Sequence, residues 1–177
     1  VLAGGVHAHT DIGVIGKETT ITLFGYWWAH DAKIDLAGKG GDFPRSRHVE
    51  GGLAGSEAAY QIAKRGIPVT LYEMRPQVMT PAHKGGELAE IVCSNSLGSL
   101  DIDTSGGLLK SELQRLGSFL LEKAVDARVP AGHALAVDRK KFSQSVTEGL
   151  SKMENLKVVR EEIKKIPQEA SVILASG

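Results

Sequence analysis

Residues 51–76 read GGLAGSEAAYQIAKRGIPVTLYEMRP, and this stretch decides the fold. Gly51, Gly52, Ala54 and Gly55 open a segment in which Ala58, Ala59, Ile62 and Ala63 recur at helical spacing, so a helix with an apolar face is expected. Gly66 stops it, and Pro68 to Tyr72 read as a strand that ends in Glu73. Together they form the second half of a βαβ dinucleotide-binding unit. Small residues let the backbone approach a pyrophosphate, and a helix N-terminus offers it free N–H groups and the positive end of a dipole. Glu73 stands 18 residues beyond Gly55. That is close to the interval of about 20 residues at which an acid receives the ribose hydroxyls.

Working back from this stretch, the pattern departs from its ideal. In a G-x-G-x-x-G register anchored on Gly52 and Gly55, the first glycine position holds Glu50. A carboxylate there would crowd the turn and repel phosphate. The preceding FPRSRHV, residues 43–49, is too charged for a buried central parallel strand, which normally reads as an apolar run.

Residues 1–49 otherwise lack a coherent pattern. Glu18 to Phe24 has strand character, Trp27 and Trp28 stand side by side, and His7 and His9 form an H-x-H with Asp11 close by. Two imidazoles on one strand face can share a metal, but the strand context is poor, and solvated loop histidines are the reading preferred here.

The 177-residue chain has room for one ordinary domain with a core. Lys+Arg 21 balance Asp+Glu 21, so no global basic field advertises nucleic acid. No apolar run approaches the roughly 18 residues of a membrane span, and the start lacks a signal-peptide pattern. With Cys93 alone, no internal disulfide framework exists, and a reducing, cytoplasmic setting is expected.

Downstream, Thr80, His83 and Lys84 are candidate contacts in a polar loop whose plainer reading is a solvent-exposed connection. Cys93-Ser94-Asn95-Ser96 surrounds a thiol with small polar residues, a setting that can stabilise a thiolate. A buried structural cysteine is the competing reading. Leu109, Leu113, Leu116 and Leu120 predict one long helix with a core-packing stripe. Ala134 to Val137 read as a buried strand. Asp138 is the expected N-cap of a helix with Phe142, Val146, Leu150 and Met153 on its inner face. Leu156 to Val159 and Glu162 to Ile166 read as paired edge strands, and Val172 to Gly177 as a core strand ending in small residues. A chain that stops there is expected to be cut short.

These residues, taken in order, resemble the N-terminal part of the folate- and FAD-dependent tRNA uracil-5-methyltransferase (TrmFO) flavoprotein family. The matching pieces are GLAGSEAAYQIAKRGIPVTLYEMRP from Gly52, TPAH from Thr80, VCSNSL from Val92, GLLKSELQRLGS from Gly107, VPAG from Val129, ALAVDR from Ala134, VVREE from Val158 and VILASG from Val172. The fold the resemblance implies is α/β: a Rossmann-like FAD/NAD(P)-binding domain of the glutathione-reductase type, incomplete and with its first strand missing. It divides the chain into residues 1–49, unassigned and unrelated or misread, and residues 50–177, a partial FAD-binding domain.

The resemblance further implies an enzyme that moves a one-carbon unit from methylenetetrahydrofolate, by way of reduced FAD, to C5 of a T-loop uridine in tRNA, with NAD(P)H supplying electrons. By the family pattern Gly51, Gly52, Leu53, Ala54 and Gly55 line the FAD pyrophosphate and Glu73 holds the adenosine ribose. Cys93 is a functional cysteine near the flavin, and Ser176-Gly177 form a small-residue turn over the cofactor. Glu50, Gly98 (where the family carries a basic residue), His133 (for a glycine) and Ser176 (for a threonine) depart from the pattern. A chain of this extent, with Glu50 at the first glycine position, is expected to bind FAD poorly alone and to methylate no tRNA. The alternatives are a flavin-dependent NAD(P)H oxidoreductase with Cys93 as redox thiol and an inactive nucleotide-binding remnant. Last comes a metal hydrolase built on His7 and His9.

Overall fold

The computed structural model describes the backbone of residues 14–15, 18–22, 33–35 and 46–49, and residues 51–164, 172–173 and 175 in full. Along the chain these form β1 (Val14–Ile15), β2 (Glu18–Thr22), β3 (Lys33–Asp35), β4 (Ser46–Val49), α1 (Leu53–Lys64) and β5 (Val69–Tyr72). They continue as β6 (Ser96–Ser99), α2 (Ser105–Arg115), α3 (Phe119–Asp126), β7 (Arg128–Val129), β8 (Ala134–Val137), α4 (Arg139–Ser151), β9 (Leu156–Val159) and β10 (Val172–Ile173).

The main sheet runs β1-β2-β3-β10-β4-β5-β9. Its last four strands are parallel to one another, while β1, β2 and β3 extend it antiparallel beyond β10. Numbered within the parallel part, β9-β5-β4-β10 is the order 3-2-1-4 of a nucleotide-binding doubly wound fold. The order reverses between β4 and β10, so the crevice beyond their carboxyl ends, where β4 leads into α1, is where such a fold takes its ligand.

The missing first strand is corrected by this topology. Ser46–Val49 occupies that place, with Ser46 opposite Val69 and Val49 opposite Tyr72 on one side and His48 opposite Ile173 on the other. A parallel ladder is made by main-chain N–H and C=O groups, and each of the four residues supplies both. Polarity argued against a buried strand but does not remove the pairing.

α1 follows from its composition. Ala58, Ala59 and Ala63 are buried, and α1 packs on β4, β5 and β9 with side chains short enough for close approach. It ends where Gly66, at φ 77°, takes the left-handed conformation that favours glycine. Val69 and Leu71 of β5 face the core, and Asn155 donates to the carbonyls of Ala63 (2.8 Å) and Ile67 (3.2 Å), tying the α1–β5 turn to the start of β9.

Between β5 and β9 lies a second, antiparallel sheet, β6-β8-β7, with α2, α3 and α4. Asp138 caps α4 as expected, its Oδ1 accepting from the N–H groups of Lys140 and Lys141, and Phe142, Val146 and Leu150 are buried. The single long helix is not observed. Gly117, at φ 72°, separates α2 from α3, so Leu116 is 63% exposed and Phe119 and Ala124 pack in its stead. Glu57 of α1 holds the start of α3: its carboxylate accepts from Ser118 Oγ (3.0 Å), Phe119 N (3.1 Å) and Leu120 N (2.8 Å). β9 pairs with β5, and residues 161–164 form no strand, so the expected pairing of two edge strands does not occur among the described residues.

Candidate functional site

Gly51 and Gly52 join β4 to α1, and the two do different things. Gly51 is buried; its N–H donates to Glu73 Oε2 at 3.1 Å and its carbonyl accepts from Ala89 N at 2.7 Å. A Cβ at residue 51 would press on Leu88 Cδ2 and stand 2.6 Å from Glu73 Oε2, so a larger residue there requires these two buried side chains to shift. A Cβ at Gly52 would meet nothing within 4 Å. Gly52 is the N-cap of α1, in extended conformation and without a side-chain cap, and the first turn carries no acid. Leu53 and Ala54 are exposed, Gly55 buried. An open, uncapped helix start of this kind presents free N–H groups and the positive dipole end to an anion.

Glu73, at the end of β5, is buried beside this turn. Arg75 donates to it three times: N and Nε to Oε1 at 2.9 and 2.8 Å, and Nη2 to Oε2 at 2.8 Å. Burial would raise the Glu73 carboxyl, but the hydrogen bonds and charge of Arg75, with Arg160 behind them, hold it below its ordinary value. Arg75 Nη1 reaches Glu90 Oε2 at 2.9 Å, and Glu90 accepts from the N–H groups of Lys84 (3.0 Å) and Gly85 (3.1 Å). Arg160, just past β9, donates to the carbonyls of Arg75 and Gly86. One charged network thus joins the glycine turn, two strand ends and the segment at residues 84–90.

Of the sequence candidates, Gly51, Gly52, Leu53, Ala54, Gly55 and Glu73 come together at this point. Cys93 is exposed and lies in a shallow depression of about 420 Å³ lined also by Ser94, Asn95, Val137 and Arg139. The Ser94 hydroxyl turns to the main chain of Ser96, and the Asn95 carbonyl accepts from Val137 N. The buried alternative for Cys93 is therefore set aside. Thr80 and His83 share a side-chain hydrogen bond; burial and the Arg75 charge push His83 below its ordinary value. Gly98 has φ 83°, and Lys110 Nζ would lie 3.5 Å from a Cβ there, so a cation stands near that position from another element. Ser176, Gly177, His7, His9, Asp11, Trp27 and Trp28 lie outside the described residues. Among the described residues no group of three or more His, Cys, Asp or Glu is placed to hold a metal.

Arg75, Leu88, Glu90 and Arg160 escaped the sequence reading. Glu73 and Arg75 are an opposite-charge pair two residues apart just past the end of β5, with Arg75 already in the turn that follows. That spacing was the available signal for Arg75; the others depend on contacts across the fold.

The family model described as glucose inhibited division protein A matches residues 49–177. The chain belongs to this family. Within the glucose inhibited division protein A family it is 57% identical over 129 residues to the methylenetetrahydrofolate--tRNA-(uracil-5-)-methyltransferase TrmFO of Aquifex aeolicus (strain VF5), a match covering 73% of this chain and 29% of that protein. The protein of the same name from Dictyoglomus turgidum is also 57% identical, with the same coverage. The chain thus spans 29% of the length of these curated relatives. Among solved structures, Aquifex aeolicus GidA superposes with a TM-score of 0.56 at 15% identity, covering 75% of this chain and 24% of that one. That likeness shows the shared α/β fold.

Proposed function

We propose that this chain carries the FAD-binding site of a methylenetetrahydrofolate-dependent tRNA (uracil-5-)-methyltransferase. The observation that carries the reading is the 57% identity to relatives of that name over the residues that build the glycine turn and Glu73. The residues fit the cofactor: the space in front of Gly52 is open, the start of α1 is uncapped, and an acid sits beside the turn. FAD would supply the carrier on which a one-carbon unit passes from folate to RNA. The N–H groups of Gly52, Leu53 and Ala54 would bind the pyrophosphate, Gly51 would keep the backbone close, Gly55 would let the helix approach the sheet, and Glu73 would accept from the adenosine ribose. Ser176-Gly177 would close over the cofactor. Cys93, exposed and with Arg139 lining the same depression, is the residue proposed to act in the transfer.

The unit is proposed to run over residues 50–177, with the strand Ser46–Val49 completing its sheet from ahead of that boundary. NAD(P)H as electron source, tRNA and folate as substrates and a cytoplasmic setting belong to the same proposal. Among the described residues, no helix is long and apolar enough to cross a membrane. Although Glu50 argued for poor binding, the strand at Ser46–Val49 and the open space at Gly52 favour it, and purified chain mixed with FAD is expected to retain flavin through gel filtration, seen as the yellow absorbance of the oxidised cofactor. Given methylenetetrahydrofolate, NAD(P)H and a tRNA transcript, a segment of this extent is expected to transfer no methyl group. A chain that passes the filter colourless would overturn the cofactor assignment; methylated transcript would overturn the expectation of inactivity.

A further inference from the structure

Glu73 is the acid proposed to meet the ribose, yet its carboxylate already accepts four hydrogen bonds. A carboxylate has about four lone-pair sites, and here three are met by Arg75 and one by the Gly51 amide, so a ribose hydroxyl would take one of them in place of an Arg75 N–H. Arg75 is itself 2% exposed and shared: its remaining arm holds Glu90, which gathers the N–H groups of Lys84 and Gly85. We propose that Arg75 is the positioning residue of the nucleotide site, aiming the Glu73 carboxylate at the glycine turn and tying the 84–90 segment to it.

This inference rests on the nucleotide reading of the glycine turn. Its physical basis is separate: a buried carboxylate with one guanidinium partner depends on that partner to stay ionised. The charged groups facing Glu73 are Arg75 beyond its own strand, Arg160 beyond β9, and Glu90 and His83 on the adjoining segment. Of these only Arg75 touches it. Without the Arg75 side chain, burial would be opposed only by the main-chain N–H groups of residues 51 and 75 and by the more distant Arg160, so the carboxyl would rise and ribose binding at acid pH would require deprotonating it first.

The test uses the full chain beside Arg75→Met and Arg75→Lys. The Glu73 carboxyl is followed by carbon-13 NMR through a pH titration, and FAD and FMN binding are measured by equilibrium dialysis at about pH 5.5 and about pH 8. In the unaltered chain Glu73 is expected to titrate below the ordinary glutamate range, in Arg75→Met above it, and in Arg75→Lys between the two. FAD affinity of Arg75→Met is expected to fall about tenfold further at the acid pH than at the alkaline one, while FMN, which lacks the adenosine ribose, does not follow. A Glu73 titration that Arg75→Met leaves in place overturns the proposal, as does an equal loss of FAD affinity at both pH values. If Arg75→Met does not fold, Arg75→Lys decides: a raised titration supports the role, an unmoved one overturns it. If the unaltered chain holds no FAD, the cofactor reading falls, and the carboxyl titration alone decides what Arg75 does.

Discussion

A methyl group at residue 51 would collide with Leu88 on one side and the Glu73 carboxylate on the other. Gly51→Ala is therefore expected to lose about 1–3 kcal/mol of stability by overpacking, read as a lowered urea midpoint, and to lose flavin binding as well. Gly52→Ala meets open space and is expected to fold normally while obstructing the ligand; a matched loss of stability would contradict that assignment. At this scale the residues of the turn and Glu73 were legible because spacing alone specifies them. Leu88 and Glu90 were not, since nothing in a local pattern says that a segment some 15 residues beyond the strand folds back over the turn. Cys93 was legible as a candidate, but its exposure was not, because a cysteine beside small polar residues suits either environment.

Between α1 and α3, Glu57 acts as a capping side chain supplied from a different helix. It satisfies two N–H groups at the start of α3 and anchors the Ser118 hydroxyl, which in turn accepts from Leu121 N. Glu57→Ala is expected to cost about 1–2 kcal/mol, and Glu57→Gln less, measured by thermal or urea unfolding. Equal stability of Glu57→Ala and the unaltered chain would show that Ser118 suffices. Gly117→Ala is expected to be destabilising by about 1 kcal/mol, since residue 117 sits at φ 72°. The same glycine explains why the leucine periodicity misled: Leu109 to Leu120 keeps a helical rhythm across a point where the backbone reverses hand. α4, by contrast, was legible except at its end: Asp138 and the spacing of Phe142, Val146 and Leu150 agree with one uninterrupted helix, while Met153, expected on the same face, lies past its last residue, Ser151.

At the scale of the whole molecule, three depressed groups among the described residues shape the response to acid. Glu73 and Glu90 lie below their ordinary values: burial opposes the shift in both, while Arg75 and main-chain N–H groups outweigh it. His83 is lowered by burial and by Arg75. In each case the unfolded chain binds more protons over the interval between the two states, so stability rises with pH there. The histidine contribution is expected to be complete above about pH 6.5 and the glutamate contributions above about pH 4.3, each declining as pH falls through the folded values. Urea midpoints between about pH 3 and about pH 7 should decline on acidification, and Glu73→Gln with Glu90→Gln should flatten the lower part of that curve. The fold class was legible from one helix–strand pair, but the strand at Ser46–Val49 was not, because side-chain polarity is an indirect guide to main-chain pairing. The placement of β10 has a consequence for how the chain assembles. β10 lies between β3 and β4 and follows every other described strand in the chain. During translation the β1–β3 ribbon and the β4-β5-β9 ladder can each form, but each keeps an open edge until Val172 and Ile173 arrive to fill the gap. Nascent chains halted before residue 172 are expected to hold two unjoined ladders and to be prone to edge-to-edge association.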